Sequence, residues 1–523
     1  MKPYAATPVP GRGRLRINAG AAVVVTAAQT LIGMVLYGYL IHRVGAETVG
    51  VWVSLMAAGL LACMADMGLN HVLIRQLSLA QHDGGPSPQE TVETLLWAVA
   101  VFTGVALIAT FVAFPLWSSW LTLSPELRAA AQRWLPFVLT GLWLNRVADA
   151  LAGGLDGQQR FVERSAAGSA ALLFGLLLTM VSVPVWGMDG AAAAFVVQNA
   201  LLCGANFVLL VRGTPGLRWL RPRLRFGILR DAVRYGLSVQ ALVLCYLLLE
   251  SGVKLSLARS GELSAVSYFD LAFRIAKGVR GLLASALRVL VPRLAPTART
   301  PMGPALRASA YVGSFGVLLV VALPLFAGLL ASVHAIAWVM TGRDDPVFIH
   351  ALVFALLPWL VYSLTDPALN LALASGHMQW PLRGHLTTVA VAAVLGWLWP
   401  STTAYWGLYA VVSFAMLVGC AITLAGIHRD EHMPWRSLAP ASTATALLGA
   451  LLVGALGVAA PQWLPWLPPV LRWSVVAAAY LGFVGLLWHR HPSARWLLFR
   501  IRAGSGQDAA AASDPTARSK DFY

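Results

Sequence analysis

The stretch 268–292, YFDLAFRIAKGVRGLLASALRVLVP, is apolar enough to enter a membrane, yet it carries Asp270, Arg274, Lys277, Arg280 and Arg288. A charge at the centre of a lipid-facing helix costs about 2.5–3.5 kcal/mol, so the first four together would cost on the order of 10 kcal/mol. At about 100° per residue, positions 270, 274, 277, 281 and 288 fall in one arc roughly 60° wide, with Arg280 on its flank. The charges form a stripe, and a stripe of this kind must turn away from lipid.

The rest of the chain confirms that lipid is the solvent. Of 523 residues, 58% are hydrophobic and only 11% are Asp, Glu, Lys or Arg, whereas a soluble domain carries about 25% charged residues. The mean hydropathy is +0.70. Uncharged runs at 17–41, 94–125 and 308–333 each exceed the roughly 20 residues that carry a helix across a bilayer core. The run after Arg16 continues to Ile41, too long for a signal peptide, and is taken as a retained first span. Segmenting at charges, Pro and Gly predicts about fourteen spans: 18–42, 48–78, 92–120, 130–153, 162–187, 190–211, 230–258, 262–292, 305–333, 347–375, 380–400, 404–427, 438–460 and 468–489.

The net charge of +16 is distributed by loop. Basic clusters occupy the amino terminus (Arg12, Arg14, Arg16) and alternate gaps (Arg160 and Arg164; Arg293, Arg299 and Arg307), together with the carboxyl end (Arg490, Arg495). Intervening gaps such as WPSTTAYWG (399–407) and GRDDP (342–346) carry little net charge. This positive-inside pattern predicts both termini on the cytoplasmic side and an even span count, and it removes the motive for a nucleic-acid partner. The four cysteines, Cys63, Cys203, Cys245 and Cys420, stand singly in apolar segments and suit buried packing.

Two weak matches share one offset. Residues from 42 (HRVGAETVGVW) align with residues from 258 (ARSGELSAVSY), and LDGQQRF at 155 aligns with ASGHMQW at 374, about six spans further on in each case. An even offset predicts two parallel six-helix lobes related by an axis along the membrane normal, with spans 13 and 14 outside the repeat. The predicted organisation is an N-lobe at 1–211, a basic linker at 212–229, a C-lobe at 230–428, two further helices at 429–490 and a disordered tail at 491–523.

The span before the stripe adds Glu250 and Lys254, an i, i+4 acid–base pair, with Tyr246 one turn earlier. Over both helices the charges are Lys254, Arg274, Lys277, Arg280 and Arg288 against Glu250 and Asp270. Interhelical ion pairs with snorkelling ends would satisfy the insertion cost. A water-filled cavity lined by cations would do so too, and the positive excess favours it: Arg binds oxyanions through its planar fork and Lys adds a mobile point charge. Arg274, Lys277, Arg280 and Lys254 are the expected anion-binding residues, while Arg288 marks the cytoplasmic end. Asp66, Glu250, Asp270 and Asp366 are the candidate acidic or coupling groups. Asp366 precedes Pro367, where a broken ladder would free carbonyls and a carboxylate can hold Na⁺ or a proton. Arg146 and Asp149 are expected to pair structurally. No metal or organic cofactor is implied, and no P-loop, GxGxxG, HExxH or GxSxG motif gives an enzyme a footing.

The segment LIHRVGAETVGVWVSLMAAGLLACMADMGLNHVLIRQLSLA (40–80), with Gly45, Glu47, Gly50 and Trp52 followed by Asp66, Gly68, Leu69 and Arg75, together with LDGQQRF (155–161), resembles the Wzx-type flippases. These belong to the MOP superfamily, which also holds lipid II flippases and MATE exporters. The resemblance implies two lobes working by alternating access, with a cationic cavity and ion coupling. Its implied cargo is an undecaprenyl-pyrophosphate-linked oligosaccharide, carried to the periplasmic leaflet of a bacterial inner membrane, with other polysaccharide-assembly proteins as partners. The chain departs from it in having no charge between Arg16 and His42, leaving the cations to the second half. A MATE-like exporter of small cations would instead need a net acidic cavity, and a membrane glycosyltransferase or polymerase would need a catalytic carboxylate.

Overall fold

The computed structural model describes residues 12–79, 87–214, 221, 224–287, 303–375, 378–398, 405–431, 433–434, 441–495 and 497. Arg288 and the basic segment after it, most of the linker, the Gly376 part of the second repeat match and the tail from 498 lie outside the described residues. Those described form helices and no strand: α1 Arg12–Val44, α2 Ala46–Ala62, a 3₁₀ turn Cys63–Asp66, α3 Leu69–Leu79, α4 Pro88–Val112, α5 Phe114–Ser118, α6 Pro125–Gly157, α7 Phe161–Gly213, α8 Phe226–Arg259 and α9 Leu263–Leu287. They continue with α10 Gly303–Ala331, α11 Val333–Thr341, α12 Pro346–Ser375, α13 Gln379–Leu398, α14 Trp406–Asp430, α15 Ala441–Trp463 and α16 Pro469–Arg490.

Among the described residues, nine stretches are long and apolar enough to cross a membrane. The 53-residue α7 contains two of the expected spans, joined at Gly187, whose φ of 56° and ψ of −137° break the helical path. The long helices α6, α8, α9 and α13 are more polar than these nine. In α8 and α9 the reason is the set of charges considered above. With α7 taken as two, these make up the fourteen expected spans, and the chain is an all-α polytopic membrane protein.

Helix starts follow local chemistry. Ser87 and Ser124 each precede a Pro at the first helical position, and their hydroxyls accept from the Glu90 and Leu127 amides at 3.3 and 3.2 Å. That arrangement satisfies a donor the helix leaves open, and proline's fixed φ suits the first turn. α4 then shows how one helix meets two environments. Val92, Leu95, Leu96 and Val99 are buried against Leu69, Leu73 and Leu77 of α3 and Leu151 and Leu155 of α6. Val105, Ile108 and Val112, one turn apart, are 63, 65 and 71% exposed. An outward apolar stripe on a helix of this length suits acyl chains, not water.

The second predicted span, 48–78, is not continuous. Met67 (φ 51°) and Gly68 (φ 70°) both take left-handed backbone, ending α2 and the 3₁₀ turn before α3 begins. Asp66 Oδ1 accepts from the Gly68 amide at 3.1 Å and fixes the turn. The first repeat match pairs Gly45 before α2 with Gly261 before α9, and both have positive φ, 85° and 82°.

The chain divides into two compact units. The first comprises Met1–Leu282, Ala337–Pro358 and Pro381–Ile422. The second comprises Leu283–Ile336, Trp359–Trp380 and Thr423–Tyr523, and packs Tyr311, Ala368, Leu371, Ala372, Ile427 and Met433 into a core of its own.

Candidate functional site

Within the first unit, the stripe on α9 meets α8. Positions 246, 250 and 254 on α8 recur every four residues, and 270, 274 and 277 on α9 recur at four and three, so each set shares a helix face. Lys254 Nζ stands 2.7 Å from Glu250 Oε1 and 2.5 Å from Asp270 Oδ1. Arg274 Nε lies 2.7 Å from Asp270 Oδ2, and Lys277 Nζ 2.9 Å from Glu250 Oε2. The result is one chain of alternating sign: Arg274, Asp270, Lys254, Glu250, Lys277.

Burial divides this chain. The side chains of Lys254, Glu250 and Asp270 are 5, 9 and 3% exposed, and those of Arg274 and Lys277 are 40 and 32% exposed. Each buried carboxylate thus has two cationic partners, the compensation a desolvated charge requires. The five groups carry a net charge of +1, with a cation at each exposed end.

Aromatic groups hold both ends. Tyr37 of α1 accepts a hydrogen bond from Arg274 Nη2 at 2.9 Å and its ring centroid lies 4.1 Å from the guanidinium carbon. Lys277 Nζ lies 5.5 Å from the Tyr246 ring centroid. A cavity of about 250 Å³ opens beside the chain, walled by Val53, Met56 and Leu60 of α2, Tyr37, Leu247 and Ser251, together with the five charged residues. Arg274 and Lys277 retain donors beyond those engaged here, since a guanidinium has five N–H groups and an ammonium three. They can meet an oxyanion without leaving the helix face.

The structure brings together Glu250, Lys254, Asp270, Arg274 and Lys277 of the expected site residues. Lys254, expected among the substrate-facing cations, is instead enclosed by two carboxylates. Arg280 is half-buried further along α9, outside the cavity lining, within electrostatic reach of His385. Asp66 is also outside the lining: its Oδ1 accepts from Gln240 Nε2 of α8 at 2.8 Å as well as from Gly68. Asp366 is buried on α12 in the second unit, in a helix that continues through Pro367. The Arg146–Asp149 pair forms at 2.8 Å. Tyr37 was not foreseen; the only signal was a polar aromatic in the otherwise apolar run VLYGYL (35–40).

No protein-family model matches the chain, and no curated protein matches it in sequence. Solved structures do match its fold. The chain superposes on lipid II flippase MurJ in an inward closed conformation with a TM-score of 0.68 over 89% of this chain and 98% of that one, at 12% identity. It is similar to an inward-facing multidrug resistance MATE family transporter of the MOP superfamily, with a TM-score of 0.58 over 78% of this chain and 98% of the other, at 15% identity. The MATE multidrug transporter DinF-BH gives 0.58 over 84% and 99%, at 18% identity. The fold is the one these membrane proteins share.

Proposed function

We propose that this protein is a flippase that moves an undecaprenyl-pyrophosphate-linked oligosaccharide from the cytoplasmic to the periplasmic leaflet of a bacterial inner membrane, by alternating access, for polysaccharide biosynthesis. The observation that carries this is the charge chain: two exposed cations, Arg274 and Lys277, at the ends of a buried, compensated core beside a cavity. The fold shared with a lipid II flippase supports it. A cavity of about 250 Å³ suits a diphosphate and not a glycan, lying below the roughly 300–1,000 Å³ of small-molecule sites. The glycan then needs a wider polar route, and the polyprenyl tail stays in lipid. Arg280 lies further along the same helix as a later contact for the anion. Glu250, Asp270, Asp66 and Asp366 are the carboxylates through which H⁺ or Na⁺ would couple. Both termini are assigned to the cytoplasm, and the protein works as a transporter without enzymatic chemistry of its own.

Depletion of the protein tests this directly: lipid-linked oligosaccharide should accumulate on the cytoplasmic face of the membrane. An unchanged distribution between leaflets would sink the assignment. A MATE-like antiporter of small cations is the alternative, favoured by the likeness to MATE transporters and opposed by the positive charge of the site. It would show itself as altered efflux of cationic dyes with normal glycan distribution.

A further inference from the structure

Arg274 and Lys277 hold Asp270 and Glu250 from the exposed side, and Lys254 holds both from the buried side. We propose that Lys254 never meets the substrate but is the internal counter-ion that lets Arg274 and Lys277 exchange their carboxylates for a diphosphate. This rests on the flippase assignment above and names a positioning residue for it.

The logic is one of charge and reach. When an anionic ligand draws Arg274 and Lys277 outward, Asp270 and Glu250 keep Lys254 at 2.5 and 2.7 Å. Neither carboxylate is left buried without a cation, which is the costly state. With Lys254 gone, the two remaining cations only balance the two anions, and turning either one outward strands a buried carboxylate. The outer cations then stay bound inward. Arg274 and Lys277 sit three residues apart on one helix face, so they are neighbours. Two adjacent cations match two phosphates joined by one oxygen better than a single phosphate. Selectivity for diphosphate over monophosphate therefore depends on a residue at the cavity wall that is only 5% exposed and whose ammonium is already engaged by two carboxylates.

The test uses the full chain in lipid nanodiscs, with farnesyl diphosphate and farnesyl monophosphate as probes and melting temperature as a check on folding. The wild type should bind the diphosphate about tenfold more tightly, and Lys254→Met should weaken diphosphate binding by about tenfold, near 1.4 kcal/mol. Adding Asp270→Asn to Lys254→Met restores the net charge of the site to +1 and frees Arg274, so binding should return to within about threefold of wild type. Glu250→Gln alone removes an anion and keeps every cation, and should bind as tightly as wild type or more so. A double variant as weak as Lys254→Met overturns the proposal, because Lys254 then acts through the ligand or through the fold. Weakened binding by Glu250→Gln overturns it as well. If the wild type does not prefer diphosphate, the substrate assignment fails. If that preference holds and Lys254→Met binds normally, only the counter-ion role fails.

Discussion

Gly45 and Gly261 both have positive φ, 85° and 82°, each just before the helix that contributes to the site's neighbourhood: α2 walls the cavity and α9 carries its charges. Gly45, with ψ 151°, occupies a region essentially closed to residues with a Cβ. We predict that Gly45→Ala costs about 1–3 kcal/mol and that Gly261→Ala costs about 1–2 kcal/mol. Thermal melting of the detergent-purified protein reads both; melting temperatures equal to wild type would refute the assigned role of the two turns.

Arg274 differs from a generic cation because it bridges Asp270 and Tyr37 with two different nitrogens. Arg274→Ala and Lys277→Ala should each impair export with normal membrane insertion. Arg274→Lys should retain partial function, since charge survives and one of the two contacts is lost. Tyr37→Phe keeps the ring beneath the guanidinium and loses one hydrogen bond, about 1 kcal/mol or roughly a fivefold effect. Intact export in both alanine variants would leave the charge chain a purely structural network.

Asp66 is expected to act through its turn. Asp66→Asn preserves an oxygen acceptor for the Gly68 amide and Gln240, so folding and transport should persist. Asp66→Leu leaves the Gly68 amide unpaired and Gln240 with only the Met64 sulfur at 3.2 Å, and should cost about 1–3 kcal/mol. Loss of transport in Asp66→Asn at an unchanged melting temperature would make this carboxylate a coupling group instead.

Asp345 begins α12. Its Oδ1 accepts from the Val347 amide at 2.9 Å, and its Oδ2 accepts from Arg343 Nη2 at 2.6 Å and from the buried Tyr268 hydroxyl at 3.1 Å. Asp345→Ala loses a cap and strands that hydroxyl, for about 1–3 kcal/mol. Tyr268→Phe removes only the hydroxyl. The double variant should fall short of the sum of the singles, as expected of residues that share a contact. Chemical denaturation of the four proteins measures the coupling.

Much of this was legible along one dimension. Hydropathy located the spans because lipid punishes charge residue by residue, and spacing exposed the pair 250 with 254 and put 270 and 274 on one helix face. The pairs that cross between helices, 254 with 270 and 250 with 277, depend on how α8 and α9 pack, which no spacing encodes. The same limit hid Tyr37, whose partner is 237 residues away. The break after Asp66 was written in the local chemistry, an Asp followed two residues later by a Gly, but the surrounding apolar run masked it.

Because Lys254 serves both buried carboxylates, it cannot drift alone. A lineage that exchanges Lys254 for an apolar residue should have surrendered Asp270 or Glu250 as well, and a gain of a third acid should arrive with a fourth base. The site is inherited as a sum of charge as much as a set of side chains, so its history is to be sought in paired replacements.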